Sequence, residues 1–346
     1  MKVFAGVWGC FFQKAPPIIL MDILIFNPSL RFSGVCDGSV RGRASERFCG
    51  AGSLTVTADA ADTARFMIGG VVLVPGTEEA YMIESIRTDS GAGTAEIIGR
   101  GALSYFARRV LREEITYTGS AETLLCDLAE TWGAAVVPGG LTVVRQGIGG
   151  EVNAAPARGD LLTAMEEICT AAGLGMRLRF DPDSAGFVFS VRLRREIPLF
   201  LSRSAGNLVG TEQRWDYRGF YNRAVVLGSG SNIVTADAAG LFDDGTDDAA
   251  QPLREIWVNA TELAMSRYET EDAYREALLA RGRRILAAHR PGVTAAIETT
   301  ADTARRLIPG DVCQVSDWNV KAMCAAKSFV WDESGAAHSV EMHLLR

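Results

Sequence analysis

Histidine is nearly absent from this chain: three occur in 346 residues, His289, His338 and His343. His338 and His343 lie five apart on a predicted strand and so point to opposite faces, which argues against a metal or proton-relay pair. His289 falls at the end of a predicted helix, where a cation suits the carbonyl dipole. The seven cysteines, at 10, 36, 49, 126, 169, 313 and 324, include no Cys-x-x-Cys pair and no neighbouring His at ligand spacing. They read as free, mostly buried thiols of a protein that matures in a reducing cytoplasm. A bridge between Cys36 and Cys49 is the minority alternative to free thiols.

Other absences narrow the function further. No apolar run approaches the roughly 20 residues that a membrane-crossing helix needs. There is no nucleophile elbow, Walker loop or zincin signature, and Gly228-Ser229-Gly230-Ser231 lacks the third glycine and following helix of a dinucleotide site. The expectation is therefore a protein that is not an enzyme, with no catalytic, cofactor-binding or metal-binding residue assigned and no cofactor. Positive charge is also short: 35 Lys and Arg face 42 Asp and Glu, a net charge of −7. A nucleic-acid reader draws its affinity from neutralising phosphates, so DNA would pass this protein rather than bind it. Arginine clusters at 41, 43 and 47, at 108, 109 and 112, and at 281, 283 and 284. With no aromatic residues interleaved as stacking platforms, these read as solvated faces or subunit contacts.

What the chain does have is ordinary globular composition, 48% hydrophobic and 22% charged, with 36 glycines that suit the turns of a strand-rich fold. Residues 1–20 carry one Lys and a short apolar run, then Pro16 and Pro17 in place of a small-residue cleavage site. They read as an over-extended start or a detached N-terminal arm, with Met21 as the alternative first residue. From 21 to 110 the signals are strands, alternating at Leu54-Thr55-Val56-Thr57 and punctuated by Pro75-Gly76 and Ser90-Gly91-Ala92-Gly93. A small antiparallel barrel is the expected closure.

Residues 111–200 change character. Leu124, Leu128 and Trp132 recur every four positions, predicting a helix stopped near Gly133, and Asp160 caps a second helix that Gly173 ends. A β-hairpin follows, with Met176, Leu178, Phe180, Phe187, Phe189 and Val191 on one face. This predicts a middle α+β domain. Residues 201–346 return to strands, interrupted by an Asp-, Ala- and Gly-rich acidic loop over 236–252 and a helix over 271–289 with Tyr274, Leu278, Ile285 and Leu286 inward. Asp243-Asp244-Gly245-Thr246-Asp247-Asp248 misses the calcium-loop spacing and reads as solvated. The fold class is α+β, mainly β.

The order of several landmarks resembles a known family. Gly52-Ser53-Leu54-Thr55-Val56, Ile83-Glu84-Ser85-Ile86 and Ile98-Gly99-Arg100-Gly101-Ala102-Leu103 come first. Tyr221 to Gly228, Arg254-Glu255-Ile256-Trp257-Val258, the helix from Tyr274 to Leu286 and Ile308-Pro309-Gly310-Asp311-Val312 follow in order. Over residues 21 to 345 the chain is similar to siphovirus and prophage tail-hub proteins, the ReqiPepy-type "gp thirty-seven-like" tail proteins. The resemblance implies two tube-type antiparallel β-barrel domains, 21–110 and 201–346, around the middle domain 111–200. It also implies a homotrimeric hub at the tail tip or baseplate of a virion, assembled in the host cytoplasm. Three subunits would make a pseudo-sixfold ring between a hexameric tail-tube or distal tail protein and a threefold spike, fibre or tape-measure protein. DNA would pass through the ring without specific binding, and nothing inserts in a membrane.

Two other readings make different expectations. A tail-associated cell-wall hydrolase requires a cleft with a perturbed carboxylate pair, and none of the 42 acidic residues is singled out by sequence. A carbohydrate-binding tip module requires an exposed aromatic platform; Trp215, Tyr217, Phe220 and Tyr221 form the dense aromatic cluster, for which core or interface burial is the plainer reading.

Overall fold

The structure is a computed structural model that describes residues 22–36, 41–112, 115–154, 159–216, 218–237, 252–289, 292–332 and 335–345. The N-terminal arm, Cys10, Tyr217 and the acidic string 243–248 lie outside the described residues. The architecture is mostly β with helices, in the α+β class. The chain forms two compact units, one of residues 1–209, 298–317 and 323–341, the other of 210–297, 318–322 and 342–346.

The first unit begins with β1 (Ile23–Phe26), β2 (Phe32–Cys36), β3 (Arg41–Arg47), β4 (Ser53–Asp59), β5 (Val71–Leu73), β6 (Ala80–Asp89) and β7 (Thr94–Gly101). Their spatial order is β3-β4-β7-β6-β5-β1-β2, antiparallel throughout. The predicted alternation on β4 is seen directly: Leu54, Val56 and Ala58 are buried and the residues between them are not. Inward residues of all seven strands join Phe66, Phe329 and Trp331 in one core that contains no other layer among the described residues. The sheet therefore curls over its own apolar face, although the strand pairing traces no closed barrel.

The chain continues through β8 (Val110–Leu111), β9 (Tyr117–Ser120), α1 (Ala121–Leu128), β10 (Leu141–Val144), β11 (Glu151–Ala154), β12 (Gly159–Asp160) and α2 (Leu161–Ala172). The Asp160 carboxylate accepts the Thr163 N–H at 2.9 Å, and Gly173 ends α2 in the left-handed conformation at φ 67°, as its position suggested. The expected hairpin is β13 (Leu174–Asp181) with β14 (Gly186–Leu193), in register Met176↔Val191, Leu178↔Phe189 and Phe180↔Phe187. All six of these side chains are buried. The Phe180, Phe187 and Phe189 rings meet Phe26, Tyr105 and Phe106 edge-on, at centroid distances of 4.9 to 5.7 Å. This second core takes the opposite face of β1, β5 and β6, where Phe26, Val71 and Met82 point.

The remaining strands and helices are β15 (Arg195–Leu201), β16 (Leu208–Asp216), β17 (Arg223–Leu227), β18 (Ile233–Asp237), β19 (Glu255–Asn259), α3 (Glu271–Ala288), β20 (Gly292–Thr299), α4 (Ala301–Arg306), β21 (Asp311–Val315), β22 (Val320–Asp332) and β23 (Gly335–Leu345). In the first unit β15 runs parallel to β21, and β22 pairs antiparallel with β3, Phe329 opposite Ala44.

The second unit centres on the sheet β18-β17-β19, with β18 antiparallel and β19 parallel to β17. Helix α3 covers one face, burying Tyr274, Leu278 and Leu286 against Ala224, Val226, Ala236 and Val258. Gly282 makes the close approach possible: a Cβ there would lie 2.7 Å from the Ala236 Cβ and 2.9 Å from a Val226 methyl.

Candidate functional site

The three histidines are not brought together. His289 ends α3 with its ring Nδ1 3.1 Å from the Gly219 carbonyl and its edge against Tyr221. His338 packs on Phe329, and burial, then Lys327 and Arg305, lower its pKa to about 4. His343 is exposed further along β23. Among the described residues no group of three His, Cys, Asp or Glu is placed to hold a metal ion. Gly228-Ser229-Gly230-Ser231 is a tight turn against α3, where the Ser229 N–H donates to the Tyr274 hydroxyl at 2.6 Å. Cys36 and Cys49 are both free, so the Cys36–Cys49 bridge is not formed. Phe220 is buried and Tyr221 half-buried, so these two belong to the packing of the second unit.

One of the arginine clusters meets aromatic rings. Arg108 lies over Tyr105 at 5.2 Å and Arg109 over Trp132 at 5.3 Å. These cation–π contacts hold the arginines within the first unit.

A cluster that sequence reasoning did not single out lies inside the first unit. Glu46 on β3 shares the inward phase of Ala44, and the strand register sets Lys327 of β22 directly opposite it. Glu46 and Lys327 are only 8% and 6% exposed. One Glu46 oxygen accepts the N–H groups of Glu78 and of Glu79, the latter at 3.0 Å. Glu79 in turn accepts the Gly52 N–H at 3.1 Å. Its carboxyl fills the space that a side chain at Gly101 would need, which explains a glycine at that strand end. Arg177 pairs with Glu78. Arg192 donates to the Arg47 carbonyl at 2.9 Å and covers the Phe48 ring at 5.4 Å. Lys327 donates to the carbonyls of Arg305 at 3.0 Å and Leu307 at 2.9 Å.

Burial dominates the electrostatics here. It raises the Glu46 carboxyl above its ordinary range, against the pull of the Glu79 N–H and Lys327. It raises Glu79 to about 8, with the Glu46 charge adding to the effect. Burial likewise lowers Arg177 to about 10 and brings down Lys327. Two carboxyls with raised pKa values are what a general acid would need. The surrounding cleft, lined by Leu103, Met176, Leu178 and Pro309 with the charged groups, admits water-sized molecules and has no room for a sugar ring. The cluster ties β3, the turn before β6, β13, β14 and β22 together. The signal that could have found it was a charged residue in the inward phase of a strand, at Glu46 and again at Lys327.

The second surface of interest is the outward face of β18-β17-β19. Leu227 pairs across the sheet with Ile233, and Val225 with Trp257. Ile233 and Trp257 are 57% and 58% exposed, and no described element of the second unit covers them. At one end Arg223 pairs with Asp237 at 2.7 Å. Isolated apolar residues on a surface are ordinary; an adjoining set on one flat sheet face marks a contact surface.

A sheet curled over its own core, a helix–hairpin layer on its other face and an apolar sheet surface define a protein built for packing, and the fold is that of phage tail proteins. A tail protein from Neisseria meningitidis MC58 is similar at TM-score 0.54 and 15% identity, with 93% of this chain and 96% of that one covered. The prophage MuSo2 43 kDa tail protein from Shewanella oneidensis is similar at TM-score 0.53 and 12% identity, covering 94% and 98%. Prophage tail protein gp18 from Listeria monocytogenes EGD-e is similar at TM-score 0.50 and 10% identity, covering 92% and 94%. The sequence profile of the Siphovirus ReqiPepy6 Gp37-like protein family matches residues 22–337, and the chain belongs to that family. No curated protein matches the sequence.

Proposed function

We propose that this phage tail protein is the non-enzymatic hub at the end of the tail tube. Three copies form a pseudo-sixfold ring that joins a hexameric tube or distal tail protein to a threefold spike, fibre or tape-measure protein, and DNA is ejected through it. Residues 21–110 and 201–346 supply the two barrel-type tube domains and 111–200 the middle domain. The observation that carries this reading is the family match over 22–337. The curled sheet, whose inward residues share one core, supports the tube-domain part, because adjacent curled sheets are the units from which a ring wall is built. The apolar face bearing Ile233 and Trp257 is the surface that each copy brings to its neighbour. The net charge of −7 suits a conduit that DNA does not bind.

Light scattering on the purified chain, alone and mixed with its cognate tube protein, is the test. The expected mass is three times that of the chain, with a stable complex on mixing. A persistent monomer that also ignores the tube protein overturns the hub. One observation favours a second reading, a cell-wall hydrolase: the raised Glu46 and Glu79 carboxyls. Zymography on peptidoglycan separates the two, since lysis abolished by Glu79→Gln would establish the hydrolase and remove the non-enzymatic role.

A further inference from the structure

The turn between β3 and β4 carries Cys49, and α2 carries Cys169. Phe48 fixes this turn: its N–H donates to the Ala325 carbonyl at 2.9 Å, and its own carbonyl accepts the Met176 N–H at 3.1 Å. Gly50, at φ 98°, lies so close to α2 that a Cβ added to it would stand 2.6 Å from a Glu166 carboxylate oxygen. Held in this way, the Cys49 thiol lies 3.8 Å from the Glu166 carbonyl, toward which it donates. Cys169 is one helical turn further along the same helix, on the side where the Cys49 thiol approaches the Glu166 carbonyl. Of the six described cysteines, Cys49 alone is not fully buried. One residue of the pair is thus half-buried and the other fully buried.

We propose that Cys49 and Cys169 form an oxidation site that reacts with small-molecule disulfides of the glutathione type and closes to an internal disulfide. The Cys49 thiolate attacks one sulfur of the oxidised reagent, forming a mixed disulfide and releasing one thiolate. The Cys169 thiolate then attacks the Cys49 sulfur, forming the protein S–S bond and releasing the second. Both protein thiols lose their protons, and one reagent disulfide is reduced to two thiols. Burial, together with Cys49 and Glu166, holds the Cys169 thiol well above its ordinary pKa, so the second step is the slower one and quickens as pH rises. The bond ties the β3–β4 turn to α2 across 120 residues of sequence, a long closure that restricts the unfolded chain.

The test uses the full chain, reduced and then incubated with oxidised glutathione at pH 8, followed by acid quenching, alkylation and peptide mass mapping without reductant. The expected result is a Cys49–Cys169 linked peptide, loss of two free thiols per chain, and a thermal midpoint raised by roughly 5–10 °C that dithiothreitol reverses. Cys169→Ser should stop at glutathione attached to Cys49. Prior labelling of native wild-type chain with N-ethylmaleimide should modify Cys49 first and block the crosslink, a readout that needs no variant to fold. A stable glutathione adduct on wild-type Cys49 with no crosslink, or a crosslink between other cysteines, overturns the proposal.

Discussion

The curled sheet of the first unit and the three-stranded sheet of the second use similar strands but bury different numbers of faces. On β1, β5 and β6, neighbouring residues alternate between two cores: Ile25 and Phe26, Val72 and Val71, Tyr81 and Met82. On β17, β18 and β19 one face lies under α3 and the other carries Val225, Leu227, Ile233 and Trp257. Covering both faces demands an unbroken apolar run, as at Val71 to Val74. Covering one leaves alternate positions to be set by something other than stability. Large apolar residues at those positions are there for a contact.

The strongest challenge to this contrast is removal of a ring from the doubly packed region. Phe189 is fully buried and lies edge-on to Phe106 at 5.7 Å. Phe189→Ala should cost about 3–5 kcal/mol in urea unfolding while amide exchange in α3 stays unchanged. Loss of α3 protection would mean that the two regions unfold as one. Next is Gly282→Ala, where helix propensity alone predicts a gain of up to about 1 kcal/mol. Contact with Ala236 and Val226 predicts the opposite, and a net loss of about 1–2 kcal/mol confined to the second unit is expected.

A pH series sharpens the contrast further. Glu79 has a folded-state pKa of about 8, above its ordinary 4.5, so the folded chain holds this proton more tightly than the unfolded chain does. Its contribution is fully present below pH 4.5 and is lost as pH climbs through 8. The unfolding free energy of the first unit from urea titration should fall across that window by the order of 1–2 kcal/mol, with a much shallower slope in Glu79→Gln. The second unit should show no matching trend. The smallest effect on stability is expected for Trp257→Ser, within about 0.5 kcal/mol. The same change should weaken self-association in light scattering, and unchanged association would leave Trp257 without a contact to explain it.

Local elements were legible in the sequence because periodicity and caps are local signals. The hairpin from Met176 to Val191, the Asp160 cap, the Gly173 stop and the inward side of α3 all follow from spacing. What spacing could not convey was pairing between distant segments: the parallel contact of β15 with β21, or β22 laid on β3. The Glu46 cluster depends on that second pairing, since Lys327 faces Glu46 only once the register is set. Its residues come from five places in the chain, and nothing in any one of them announces the other four.

The seat of β22 on β3 also fixes when the chain can finish folding. Arg43 bonds Ser328 across 285 residues. A ribosome adding about 5–20 residues per second needs roughly 15–60 s to travel that far. Throughout that interval β3 has no partner on one side, and its backbone groups there are open to any strand nearby. Translation speed and holding chaperones therefore bear on the yield of this protein, and synthesis of β22 is the step that retires the exposed edge.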